Sequence, residues 1–281
     1  MFVLTAVKCI APTLTHVIPS RGRSSVYAIT SLGDDVFVVR KGGQQIEVYN
    51  AVIFALRRHI TVPGLGPRSD GIAACVRNKC LYLSDDEKDI VHRVRLSGIR
   101  LVENWSVASK PTGLSVNNAH HVVVACYEAD KLQEYTTHGS LVREISLQAG
   151  VMSPWHAVQL STGDYVVSQN KSSGEVSVVN VDGHVVQSYG QTQMSDIEAM
   201  TDPTNLTLAS NDDILVADGR NDGRILSINR SSGAVQELPL SAVGGIQNPL
   251  ALCLDESRGR LYVGECGGEH RVLVFDVTAT L

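Results

Sequence analysis

The chain has 281 residues, 43% of them hydrophobic and 19% charged, which is an ordinary globular composition with enough material for a large core. No apolar run approaches the roughly 20 residues needed to span a bilayer, so no membrane partner is expected. The net charge of −5 conceals an imbalance: residues 1–68 carry eight Lys/Arg against three Asp/Glu, and the remainder carries 16 against 26. Such asymmetry bears on partners, not on fold.

In chain order, Phe2-Val3-Leu4-Thr5-Ala6-Val7 is apolar but is cut short by Lys8. It lacks a basic n-region and a full h-region, so no cleaved signal peptide is expected. A strand-like segment follows at Thr13–Ile18. From there a short apolar strand recurs as Val36-Phe37-Val38-Val39, Leu81-Tyr82-Leu83-Ser84, Val122-Val123-Val124-Ala125, Tyr165-Val166-Val167-Ser168, Ile214-Leu215-Val216-Ala217 and Leu261-Tyr262-Val263-Gly264. Its copies begin 45, 41, 43, 49 and 47 residues apart. Near-continuous apolar character suits strands covered on both faces.

Each copy sits in the same setting. A turn and a first strand come before it, as at Asp70-Gly71-Ile72, Pro111-Thr112-Gly113-Leu114, Pro154-Trp155-His156-Ala157, Pro203-Thr204-Asn205-Leu206 and Pro249-Leu250-Ala251-Leu252. An alternating third strand comes after it, marked by Ile46/Tyr49, Val91/Val94, Leu132/Tyr135, Val176/Val179, Ile225/Ile228 and Val272/Phe275. Glycines 98, 139, 183 and 233 stand where a hairpin needs positive φ, and a polar fourth strand closes most units. Four short antiparallel strands per 41–49 residues, without helical periodicity, predict an all-β six-bladed β-propeller in one domain. The blades span 25–66, 67–110, 111–152, 153–200, 201–246 and 247–281. The last unit lacks an outer strand, and Thr13–Ile18 is expected to supply it and hide two open edges.

Six scattered cysteines without a C-x-x-C pair indicate neither a zinc framework nor a disulfide scaffold. That pattern points to a reducing, cytoplasmic setting. Four N-x-[ST] sequons, at Asn104, Asn170, Asn205 and Asn229, pull the other way. Val76-Arg77-Asn78-Lys79 reads as a two-residue hairpin turn that sets Cys75 directly opposite Cys80.

Blade 5 carries Ile214-Leu215-Val216-Ala217-Asp218-Gly219-Arg220-Asn221-Asp222-Gly223-Arg224-Ile225, which resembles the NHL repeat. Blade 6 keeps part of the pattern, with Glu265 in place of the Asp and His270-Arg271-Val272 closing it. Blade 3 has Glu128-Ala129-Asp130-Lys131-Leu132 in the same layout, and blade 1 departs furthest with Arg40-Lys41-Gly42-Gly43. The resemblance implies the recognition module of tripartite-motif ubiquitin ligases or a free-standing propeller. Related propellers include metal-dependent lyases and lactonases.

In such a fold the first strand starts and the second strand ends on one face. The ligand-binding candidates there are Trp155, His156, Asn205, Asp218, Glu265, Asp85 and Arg40, together with Asp70, Cys126 and Gln169 as neighbours on that face. Asn205, Asp218, Glu265 and Asp85 could offer oxygens to a channel Ca²⁺, but an acid after V-A more simply accepts its own loop's N–H groups, so no cofactor and no metal are expected. A lone His156 is a poor zinc site, whereas Trp155 offers contact area. No complete catalytic constellation emerges, and the expected function is a non-catalytic recognition scaffold for a protein partner. A metal-dependent hydrolase or lyase with a channel site and an RNA-binding NHL domain are the alternatives. Acidic loops (Asp85-Asp86-Glu87, Glu128 with Asp130, Asp218 with Asp222, Glu265 with Glu269) disfavour RNA, and no DNA binding is expected. Anion binding is expected only near Arg40 and Lys41, with Arg57-Arg58 beside them, while blade 4 offers Lys171.

Overall fold

A computed structural model describes residues 12–20, 22–97, 102–148, 150–169, 174–190, 199–219 and 223–278. Gly98, Lys171, Asp222 and the sequon at Asn170 lie outside the described residues, as does the apolar segment at residues 2–7.

Six four-stranded antiparallel sheets stand around a common axis as a β-propeller. Blade 1 contains β2 (Val26–Leu32), β3 (Asp35–Arg40), β4 (Gln45–Asn50) and β5 (Leu56–Thr61). Blade 2 contains β6 (Ile72–Cys75), β7 (Cys80–Asp85), β8 (Ile90–Arg95) and β9 (Val102–Ser106). Blade 3 contains β10 (Pro111–Val116), β11 (Val122–Cys126), β12 (Lys131–Tyr135) and β13 (Leu141–Ser146). Blade 4 contains β14 (Pro154–Gln159), β15 (Tyr165–Gln169), β16 (Val176–Val179) and β17 (Val185–Tyr189). Blade 5 contains β18 (Pro203–Leu208), β19 (Ile214–Asp218), β20 (Arg224–Ile228) and β21 (Val235–Glu237). Blade 6 contains β22 (Pro249–Asp255), β23 (Arg260–Glu265) and β24 (Val272–Asp276), and its outer strand is β1 (Thr13–Ile18). Among the described residues one short 3-10 turn, Glu256–Arg258, is the sole helical element.

The expected closure is present. β1 pairs antiparallel with β24 from Thr13↔Asp276 to Ile18↔Val272, and Ile18 is buried against Val26, Tyr262 and Val272. The first strand of blade 6 packs beside that of blade 1, so the ring closes. Gly264 lies where a Cβ would come within 2.5 Å of Val26 Cγ1, which shows how tightly that last seam fits.

Each of six hydrophobic clusters lies between neighbouring blades. Phe37, Val39 and Ile46 meet Leu81, Leu83 and Val94 at one seam, and Leu215, Ala217 and Ile225 meet Leu261, Val263 and Phe275 at another. A blade covered on both faces needs apolar side chains on both, which is why the second strands read as unbroken apolar runs. Gly139, Gly183 and Gly233 take positive φ at the turns into the outer strands. Cys75 does pair with Cys80, but across four turn residues, 76–79, rather than two, with Lys79 at φ 46°.

The first strands are irregular at their start. Register shifts fall between Val26 and Ala28, Pro111 and Leu114, Pro154 and His156, Pro203 and Leu206, and Pro249 and Ala251. A bulge re-aims the residue that it leaves unpaired. In blade 4 that residue is Trp155.

Candidate functional site

The seven sequence candidates separate into three groups. Arg40, Asp85, Asp218 and Glu265 each end a second strand, and each is buried inside its own blade rather than turned to the axis. The Gly66 N–H donates to Asp85 Oδ2 at 2.8 Å, and His92 Nε2 lies 3.2 Å from the same oxygen. Burial works to raise the Asp85 pKa, but the Gly66, His92 and Lys88 contacts outweigh it and hold the carboxyl below its ordinary range. Asp218 accepts from the N–H groups of Thr201 (3.0 Å) and Asp202 (2.7 Å) and from Arg224 Nε (3.0 Å). Glu265 accepts from the Gln247 N–H at 3.0 Å and from Arg271 at 2.8 and 2.9 Å. Gln169 does the same for the Met152 N–H, and in blade 3 Gln133 takes this part for Ala108. Arg40 reverses the polarity: it donates to the carbonyls of Ser24 and His270 and pairs with Glu47 at 2.8 Å.

These residues clasp the loop that enters each blade. The structure does not bring Asn205, Asp218, Glu265 and Asp85 together as ligands for one ion. The acidic loops are also largely engaged internally. Asp86 faces Arg68, Glu128 faces Lys110, and Asp130 Oδ1 accepts from the Ser153 N–H.

His156 and Asn205 form the second group, on the central channel. His156 Nε2 donates to the Leu114 carbonyl at 3.0 Å, and Nδ1 accepts from the Leu206 N–H at 3.2 Å. One neutral imidazole thus ties blade 4 to blades 3 and 5, and burial depresses its pKa to about 4. Asn205 Oδ1 accepts from the Leu252 N–H, tying blade 5 to blade 6. A Cβ on Gly113 would fall 2.2 Å from His156 Cδ2, and one on Gly71 would fall 2.4 Å from the Thr112 carbonyl. The first strands of blades 2, 3 and 4 therefore close on one another at their starting ends. A channel of about 440 Å³ remains below, reaching Asn117, Ser161 and Glu256 in the loops of the opposite face.

Trp155 lines a pocket on the expected face. About 180 Å³ is enclosed by Arg68, Asp70, Lys110, Thr112, Tyr127 and Trp155, over blades 2, 3 and 4. Trp155 stands edge-on to Tyr127, with ring centroids 6.1 Å apart, and Lys110 Nζ lies 5.3 Å above the Tyr127 ring. Arg68 bridges Asp70 at 3.5 Å and Asp86 at 3.4 Å. The Asp70 side chain is only 3% exposed, and its pKa rises to about 6. Burial is the main cause, opposed by Arg68 and reinforced by Asp86. The pocket thus joins a carboxyl poised to exchange a proton near neutrality, two cations and two aromatic walls.

Sequence reading had put Asp70 on this face without a role, and it missed Arg68, Lys110 and Tyr127. Their one signal is position. Each flanks a strand boundary, in Arg68-Ser69-Asp70-Gly71, Lys110-Pro111 and Cys126-Tyr127.

No protein-family model matches the chain, and no curated protein matches its sequence. Solved structures do share its fold. The virginiamycin B lyase of Staphylococcus aureus aligns with a TM-score of 0.67 at 9% identity, over 93% of this chain and 98% of that one. A streptogramin B lyase aligns with a TM-score of 0.66 at 13% identity, over 96% and 99%. The hydrazine synthase of Kuenenia stuttgartiensis aligns with a TM-score of 0.65 at 18% identity, over 92% and 78%. At these identities the likeness is one of fold.

The likeness nevertheless corrects the expectation of a non-catalytic recognition scaffold. That expectation leaned on the fold and on a missing catalytic constellation. The same six-bladed fold is found in proteins named as enzymes, and the pocket around Asp70 gathers a buried carboxyl, two cations and a tyrosine from blades 2 and 3, with Trp155 of blade 4 as a wall.

Proposed function

We propose that the chain is an enzyme that moves a proton in the pocket over blades 2, 3 and 4, acting on a small or partly enclosed anionic substrate in the manner of a lyase. The observation that carries this reading is Asp70, a buried carboxyl whose pKa rises to about 6 beside Arg68 and within a pocket that Lys110 also lines. At neutral pH such a group is mostly ionised and accepts a proton, yet it holds that proton well enough to act as a base of useful strength. Lys110 and Arg68 would stabilise the negative charge that builds up as a C–H proton leaves. The electron pair released then forms a double bond and expels the leaving group, and Asp70 passes its proton to solvent. Tyr127 and Trp155 would hold the apolar part of the substrate. The two neighbours named as lyases support a lyase reading on this fold.

We also infer an NHL-type origin for the repeats. Val216-Ala217-Asp218, placed as in that repeat, supports it, and the Asp holds the N–H groups of its own blade's entry loop.

The test is a panel of small carboxylates that bear an acidic C–H next to a leaving group, with streptogramin B and virginiamycin B included because each appears in the name of a neighbour. Turnover is expected to fall about 100- to 10,000-fold in kcat in Asp70→Asn. Trp155→Ala should chiefly raise KM. Turnover that is unaffected by Asp70→Asn would remove the carboxyl from the reaction.

A further inference from the structure

We infer that Cys75 and Cys80 form a redox-active dithiol between blades 2 and 3, which closes to an intrachain disulfide by exchange with a small-molecule disulfide. The inference is independent of the chemistry assigned to the Asp70 pocket.

Three observations carry it. The first is register. Cys75 and Cys80 are direct partners at the end of the β6–β7 hairpin, and both side chains enter the same core cluster, with Tyr82, Leu114 and Trp105. Directly opposed residues on antiparallel strands have Cα atoms about 4.5–5.5 Å apart, inside the range that a disulfide spans. Both cysteines are free thiols in this structure.

The second observation is a buried cation beside the sulfur. Arg93 is 5% exposed and is the direct cross-strand partner of Tyr82, two residues along the strand from Cys80 and on the same face. Its NH1 pairs with Glu103 at 2.6 Å, but its Nε–H, also buried, has no acceptor within hydrogen-bonding geometry. A buried donor without an acceptor is costly, and a sulfur on the same face that takes up negative charge during exchange is an acceptor it can serve. The Tyr82 hydroxyl, two residues along the same strand, is likewise buried without a partner. Two buried donors without acceptors thus lie on the same face of the sheet as Cys80.

The third observation is access. Val76 is 74% exposed, and the four-residue turn that joins the two cysteines lies at the tip of the hairpin. Opening that tip frees Cys75 at the end of the first strand and Cys80 at the start of the second, at the cost of the terminal Cys80–Arg95 pair, and leaves the rest of the blade in place. Asn78 Nδ2 donates to Cys75 Sγ at 3.2 Å, so the turn itself holds the second sulfur in place.

The exchange balances without any group beyond the small disulfide. The Cys80 sulfur, as thiolate, attacks one sulfur of oxidised glutathione. That S–S bond breaks, and one glutathione leaves as its thiolate. The Cys75 sulfur, having given up its proton, then attacks the Cys80 sulfur and expels the second glutathione. Two protein thiols are oxidised to one disulfide, one glutathione disulfide is reduced to two thiols, and the two protons end on them.

The sequence supplies its own readout. Arg77 and Lys79 lie between the cysteines, so trypsin cuts the connecting chain and releases Ser69–Arg77 and Cys80–Lys88 as separate peptides. The full chain, held in oxidised glutathione and digested without reductant, should give these two peptides joined, and added reductant should part them. Cys75→Ser should instead accumulate one glutathione on Cys80 and give no joined pair. Cys75 and Cys80 found as separate free thiols in wild-type protein, under conditions that oxidise its other accessible cysteines, would overturn the inference. So would linkage of either to a different cysteine.

Discussion

Asp70 is charged at neutral pH in a place where charge is costly, and the cost is readable in stability. Its carboxyl titrates at about 6 in the fold against an ordinary value of 3.8, so the folded state binds more protons than the unfolded one across that window. Stability from this group falls as pH rises from about 4 to 6, by about 3 kcal/mol in full. His156 works in the opposite sense. Its imidazole is held neutral down to about 4 against 6.5 when free, so its contribution is present above pH 6.5 and is lost as pH falls. The two slopes nearly cancel between about pH 4 and 6. Asp70→Asn, which keeps the shape and removes the charge, is therefore expected to raise stability by about 1–3 kcal/mol at pH 8 and by almost nothing at pH 4. It should also expose the acid lability that His156 imposes. Denaturant titrations of both proteins at the two pH values measure this, and a variant less stable than wild type at pH 8 would contradict it. A residue that destabilises its own fold at working pH is a sign of chemistry rather than of packing.

At the scale of the element, the strands explain both what was legible and what was not. The second strands were legible because burial on both faces removes polar residues from them. The missing outer strand of blade 6 was legible because a closed ring leaves no edge there, and Thr13–Ile18 had the right length to fill it. Removing the chain through residue 20 takes away that strand with buried Ile18 and the Thr15 hydroxyl bond to the Val274 carbonyl. The truncated protein is expected to lose at least about 3 kcal/mol and to self-associate through the bared edge of β24. An unchanged melting temperature with unchanged solubility would show the strand to be dispensable. The clasps were legible in part: Asp218 was expected to accept its own loop's N–H groups, and it does. Chain order puts Asp85, Asp218 and Glu265 at the correct height, on the face where second strands end. It does not give their radial position. They stand one strand away from the axis and are turned into their own blades, where loop N–H groups take up their oxygens.

Across the whole molecule, six repetitions made the fold plain, since every unit tested the same reading again. The pocket had no such redundancy. Arg68 and Asp70 come from the entry to blade 2, Lys110 from the junction of blades 2 and 3, Tyr127 from just after the second strand of blade 3, and Trp155 from a bulge in blade 4. They meet only because Gly71 and Gly113 let the three first strands crowd together at their starts. The same crowding closes the channel on that side and leaves its open end to the opposite face. The proposed function therefore gives the molecule a working face set by three blades, and it turns on the carboxyl at the centre of that face. The direct measurement is a pH titration of the Asp70 side-chain carboxyl carbon by NMR, assigned by its loss in Asp70→Asn. A midpoint near 6 is expected, moving upward when Arg68→Ala removes the neighbouring charge. A midpoint near 4 that does not respond to Arg68→Ala would contradict the acid–base role of Asp70 and the function built on it.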